Sequence, residues 1–168
     1  VDEKGNNLFA LSKEKIKVYV FHKDGCPYCQ KAITFLQSIE DKYGKSFELV
    51  TYEVYDAEWN IEDKKLYNLM NEVAKEFETE VNGVPYIVIG KTYNINGYDE
   101  ATTGAELKAA IVEAYTDENY VDIVAQLKTE IDNAKDEHAN DGWIVGGIAV
   151  VLLGGIAALI VCSRKKTK

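Results

Sequence analysis

The chain has 168 residues, the length of one domain with a small accessory segment. Hydrophobic residues make up 46% and charged residues 28%, with two prolines and three cysteines, which excludes wholly disordered, collagen-like, proline-rich and disulfide-dense chains. The net charge of −9 divides into −13 for residues 1–142 and +4 for residues 143–168, and a body so acidic excludes a nucleic-acid partner, whose phosphates need Lys and Arg.

Residues 1–14 are polar and broken by Gly5-Asn6-Asn7, so they read as an arm. A domain is expected over residues 15–116. Ile16–Phe21 alternates and then turns continuously apolar, as a strand entering a core does. Lys23-Asp24-Gly25 is a turn, and Pro27 suits the first turn of the helix that follows. Ala32, Ile33, Phe35, Leu36 and Ile39 recur at helical spacing up to Gly44. Phe47–Tyr55 is a second strand, and Leu66, Leu69, Met70, Val73 and Phe77 mark a long helix within Glu58–Thr79. Val84–Gly90 is a third strand, Thr92–Asn96 pairs back on it, and Thr102–Tyr115 is a short helix. The fold class is therefore α/β. A helical crossover between the first two strands implies a parallel pair, and the tight Gly90-Lys91 connection implies an antiparallel edge.

Residues 117–141 read as an amphipathic stalk helix, with Tyr120, Ile123, Val124, Leu127, Ile131 and Ala134 on one face. That face is expected to pack on its own domain; the alternative is a short coiled-coil seam. From Trp143 to Cys162 run 20 uncharged residues, enough for a helix to cross a bilayer, so 142–162 reads as a transmembrane helix. The basic tail, residues 163–168, would lie in the cytoplasm and the domain outside it, on a single-pass cell-membrane protein. Export would require a leader, and the first residue, Val1, agrees with one having been removed. The lack of an Asn-x-Ser/Thr site favours a bacterial envelope. Cys162 reads as a small hydrophobe ending the anchor, with lipidation as the alternative.

Cys26-Pro27-Tyr28-Cys29 carries the chemistry. Two thiols three residues apart at a helix start can close a small disulfide and reopen it by exchange. The helix N-terminus favours the Cys26 thiolate, the attacking species. A zinc site would need a second pair of ligands, and only Cys162, His22 and His138 remain, so no metal is expected. No nicotinamide or flavin motif is present, and electrons are expected to pass to or from a partner protein's thiol pair.

Cys26-Pro27-Tyr28-Cys29 after a strand, Val84-Pro85 opening a later one, and Asn96-Gly97-Tyr98-Asp99 before the last short helix resemble the thioredoxin superfamily over about residues 15–115. The Pro-Tyr dipeptide is the one typical of glutaredoxins. The resemblance implies a mixed sheet flanked by helices and thiol–disulfide oxidoreductase activity on protein thiols and disulfides. It implies Cys26 as the attacking thiol, Cys29 as the resolving one, and Pro27 and Tyr28 as setting the turn. It implies a cis Val84-Pro85 bond, with Val84 pairing with substrate backbone as an added strand. Lys23 and Asp99 stand where glutaredoxins contact glutathione. The sequence departs from thioredoxins proper in carrying Val20 for their buried Asp and His22 for their Trp. His22 is a candidate proton carrier for the resolving thiol or a plain strand-end residue. Tyr28 either shapes substrate access or covers the disulfide. The alternatives to a protein-disulfide exchanger are a glutathione-linked glutaredoxin and a redox-inert docking module on the same fold.

Overall fold

A computed structural model describes residues 15–43 and 46–138. The expected arm, the apolar span 143–162 and the basic tail lie outside the described residues. Among the described residues, no helix is long and apolar enough to cross a membrane.

The element order is β1 (Ile16–Lys23), α1 (Pro27–Tyr43), β2 (Phe47–Tyr55), α2 (Lys64–Glu76), β3 (Tyr86–Ile89), β4 (Tyr93–Asn96), α3 (Thr103–Thr116) and α4 (Ile123–His138). The sheet runs β2-β1-β3-β4. β1 and β2 are parallel, with Ile16 opposite Phe47 and His22 opposite Glu53. β3 is antiparallel to β1 and β4 antiparallel to β3. The helical crossover through α1 fixes the first relation, and the short 90–92 connection fixes the last.

Alternation along β1 divides the core in two. Ile16, Val18 and Val20 face one way and join Ala32, Leu36, Ile39, Leu107, Ile111 and Tyr115 of α1 and α3. Tyr19 and Phe21 face the other way and join Leu69, Met70 and Val73 of α2 with Ile123, Val124 and Leu127 of α4. A strand buried on both faces must be apolar throughout, as Val18–Phe21 is.

Two elements differ from the sequence reading. The helix expected within 58–79 begins only at Lys64, because Asp63 takes the N-cap: its carboxylate accepts from the Lys65 and Leu66 N–H groups at 2.7 and 3.0 Å. The residues before it form a loop instead. β3 begins at Tyr86 rather than Val84, since Pro85 has no N–H to give a ladder. The helix read as a stalk over 117–141 is α4, which starts at Ile123, and its apolar face packs on its own domain as expected. Burying Ile123, Val124 and Leu127 contributes roughly 2 kcal/mol each. Polar bonds fasten the same junction: the Tyr19 hydroxyl donates to Asp122 Oδ2 at 2.9 Å, and the Lys17 N–H donates to the Tyr120 hydroxyl at 3.2 Å.

Candidate functional site

The parallel β1 and β2 end at the same edge of the sheet where antiparallel β3 begins. Cys26 lies there, between β1 and α1. Gly25 at φ +65° turns the chain, and the Gln30 N–H donates to the Cys26 carbonyl at 3.0 Å, closing the first turn of α1. Cys26 is thus the N-cap residue, Pro27 sits at the first helical position where no N–H is needed, and Cys29 is third.

Cys26 and Cys29 are joined in a disulfide, with their α-carbons 5.2 Å apart. The Cys29 N–H donates to Cys26 Sγ at 3.2 Å, the bond an N-cap oxygen ordinarily accepts. After reduction the same N–H and the positive end of the α1 dipole would face a Cys26 thiolate, favouring the charged form. Exposure separates the two sulfurs' residues: 8% for Cys26 and 1% for Cys29. An incoming group therefore meets Cys26 first.

Across from Cys26 is the segment before β3. Val84-Pro85 is a cis peptide, and the Val84 carbonyl oxygen lies 3.9 Å from Cys26 Sγ. The Pro85 carbonyl accepts from the Gly97 N–H at 2.7 Å, which ties this segment to the end of β4. The Val84 carbonyl thus faces the sulfur while the next one is held from behind.

The other residues singled out in the sequence lie at this end of the molecule with different engagements. Tyr28, between the two cysteines, is 61% exposed. His22 is half-buried at the end of β1, and among the described residues no hydrogen bond joins it to either cysteine. Lys23 is buried to 9% exposure; its ammonium donates to the Asp24 carbonyl at 2.9 Å and stands 5.2 Å from the Trp59 ring centre. Asp99 is exposed, and its Oδ1 accepts from the Ala101 and Thr102 N–H groups at 2.8 and 3.2 Å and from the Thr102 hydroxyl at 3.5 Å. Its own N–H donates to Thr103 Oγ1 at 3.0 Å. These bonds form the entry to α3, whose preceding residue Thr102 supplies no side-chain cap.

One neighbour escaped the sequence reading. Trp59, in the loop between β2 and α2, reaches back to Lys23 and stacks 5.5 Å from Tyr55. The signal available was Asp56 and Asn60 flanking it, both turn formers. The Asn60 side-chain amide foremost, then the Asn60 and Glu58 N–H groups, all donate to the Asp56 carboxylate and hold it below the usual range, with Lys23 adding to the effect. No group of three or more metal-ligating side chains occurs among the described residues.

A four-stranded mixed sheet between helices, with a Cys-x-x-Cys disulfide at the start of the first helix and a cis X-Pro segment opposite it, defines a thioredoxin-type domain. A sequence profile of the thioredoxin-like domain matches residues 8–113, and the chain belongs to that family. No curated protein matches the chain significantly. Fold and disulfide together point to oxidoreductase activity.

Proposed function

We propose that the chain is a membrane-tethered thiol–disulfide oxidoreductase that exchanges disulfides with protein substrates. The observation that carries the reading is the placement of the Cys26–Cys29 disulfide: capped on the α1 N-terminus, with the more exposed sulfur opposite the Val84 carbonyl. In the reducing direction the Cys26 thiolate attacks one sulfur of a substrate disulfide. A Cys26–substrate disulfide forms and the other substrate sulfur leaves as a thiolate, which takes a proton. Cys29, deprotonated, then attacks Cys26 Sγ; the second substrate thiolate leaves and the protein disulfide closes. Two electrons have passed from the cysteine pair to the substrate, and the reverse sequence oxidises a substrate dithiol. Val84 holds the substrate backbone as an added strand. Pro27 and Tyr28 set the turn around the sulfurs. A partner protein's thiol pair resets Cys26–Cys29.

Protein disulfides fit the site better than glutathione, because Lys23 and Asp99 already have partners within the protein. The tether is read from the uncharged span 143–162 and the basic residues after it, which would hold the domain on the extracytoplasmic side of a cell membrane.

The test is alkylation of the reduced chain at slightly acid pH, together with turnover of a protein disulfide. Cys26 should label first, Cys26→Ser should abolish turnover, and Cys29→Ser should halt at a stable mixed disulfide on Cys26. Preferential labelling of Cys29, or turnover that survives Cys26→Ser, would overturn the assignment.

A further inference from the structure

The strand order places two different surfaces on opposite sides of Cys26. β3, with Val84-Pro85 before it, lies on one side of β1; β2, followed by the 56–63 loop, lies on the other. The loop is well anchored. The Asp56 N–H donates to the Asn60 carbonyl at 3.0 Å, the Glu62 N–H to the Val54 carbonyl at 2.9 Å, and Tyr55 bridges Ile61. From this base Trp59 projects with φ +69° and 56% of its surface exposed, and Ile61 beside it is 47% exposed. Tyr55 and Lys23 back the indole, and Tyr67 stacks edge-on behind Tyr55 at 6.0 Å. The Lys23 charge is held beneath the ring. Asp24, Glu58 and Glu62 are exposed and form no ion pair among the described residues. The cations nearest to Glu58 and Glu62 along the chain are Lys64 and Lys65, which open α2.

We propose that Trp59 is a specificity-determining residue for the exchange reaction: it receives an apolar side chain of a polypeptide held at Cys26, and Asp24, Glu58 and Glu62 select substrates with Lys or Arg beside that side chain. This rests on the redox reading above. A polypeptide joined through its cysteine to Cys26, with its backbone along Val84, continues on the far side towards the loop. At about 3.3 Å per extended residue, five residues reach roughly 16 Å. The Trp59 ring is 5.2 Å from an ammonium that touches the carbonyl of Asp24, two residues before Cys26, and so falls within that reach.

The experiment uses the reduced full chain and two peptides of equal length. Each carries one internal disulfide and a Leu four residues from the attacked cysteine; one has Lys flanking that Leu and the other Glu. Rates are followed by acid quench and mass, since each peptide gains two hydrogens as the protein loses two. Hydroxyethyl disulfide, too small to reach Trp59, supplies each protein's reference rate. The Lys peptide should react about fivefold faster than the Glu peptide at low ionic strength, and the preference should shrink in 0.5 M salt. Relative to the reference rate, Trp59→Ala should slow the Lys peptide about fivefold and Trp59→Phe should restore most of the loss. Glu58→Gln with Glu62→Gln, which leaves Asp24 alone, should cut the charge preference from about fivefold to below about twofold, whereas Glu113→Gln with Glu118→Gln should keep it. Equal normalised peptide rates in wild type and Trp59→Ala would overturn the proposal, as would a charge preference lost only in the remote pair. A wild type that fails to reduce even hydroxyethyl disulfide would instead sink the redox reading itself.

Discussion

Replacing Asp99 with Ala removes a carboxylate oxygen that accepts from two backbone N–H groups and one hydroxyl at the entry to α3. The two backbone bonds, at 2.8 and 3.2 Å, are the stronger ones, and Thr102 supplies no replacement cap. Loss of such an acceptor costs about 1 kcal/mol, within a range of about 0.5–2. Loss of the negative charge near a helix N-terminus adds about 0.3–1 kcal/mol, towards the lower end here because Asp99 is exposed and screened. The sum is about 1.5 kcal/mol, or a Tm lowered by roughly 6–12 °C for a domain near 100 residues. Asp99→Asn keeps an acceptor oxygen and should lose only about 0.5 kcal/mol. Urea unfolding of the two variants gives the stabilities, and turnover of a glutathione mixed disulfide is measured on the same samples. The glutathione rate should be unaffected beyond what partial unfolding explains. If Asp99→Ala stays within about 0.5 kcal/mol of the wild type while glutathione turnover falls tenfold, Asp99 is a ligand contact and the capping argument fails.

Gly90→Ala should lower the urea midpoint without changing the slope, by about 2–3 kcal/mol: Gly90 has φ +55°, and a β-carbon there would stand 2.8 Å from the Tyr120 ring and 3.3 Å from the Val121 carbonyl. A midpoint equal to the wild type's would show that the Tyr120 segment yields freely. The domain should also be unstable in alkali. Burial foremost pushes the Tyr120 phenol up to about 12, and burial with Glu106 does the same for Tyr93, while burial and Asp122 raise Tyr19 further. A phenol whose folded value is raised stabilises the fold in full below its unfolded value, about 10, and that contribution is lost as pH climbs through 10 towards 12. Stability should therefore hold up to about pH 9.5 and fall above 10, with absorbance at 295 nm rising together with unfolding. Complete ionisation of every tyrosine near pH 10 in a still-folded protein would contradict it.

Much of the fold was legible because β1 and its neighbours carry their burial in plain letters. Val18–Phe21 is apolar on both faces, Phe47–Tyr55 was bounded correctly, and the turn at 90–92 dictated an antiparallel neighbour. The Cys-x-x-Cys pair was legible for the same reason: strand, turn and Pro27 place it on a helix start whatever lies around it. Contacts between distant segments were not. Nothing near Lys23 in sequence says that its ammonium rests under Trp59, or that the Asp99 carboxylate turns back onto Ala101 and Thr102. The amphipathic face of α4 was evident, but its partners Tyr19, Phe21 and Leu69 come from three-dimensional pairing. Residues 58–63 fall in the loop before α2 because the apolar periodicity from Leu66 onward does not mark where its helix begins, and the capping role of Asp63 shows only in the hydrogen bonds.

The bonds from Lys17 and Tyr19 to Tyr120 and Asp122 join residues 103 positions apart. During synthesis, a nascent chain that has already delivered both cysteines and all four strands still presents Tyr19, Phe21 and Val88 covered by α2 alone, without α4. High sequence separation of this kind delays completion of the core until the last element has emerged. The Cys26–Cys29 loop, by contrast, spans three positions and closes by local chemistry. A product arrested before residue 120 would therefore lack α4 and leave the part of the apolar sheet face beside α2 uncovered, a ready target for chaperones and proteases.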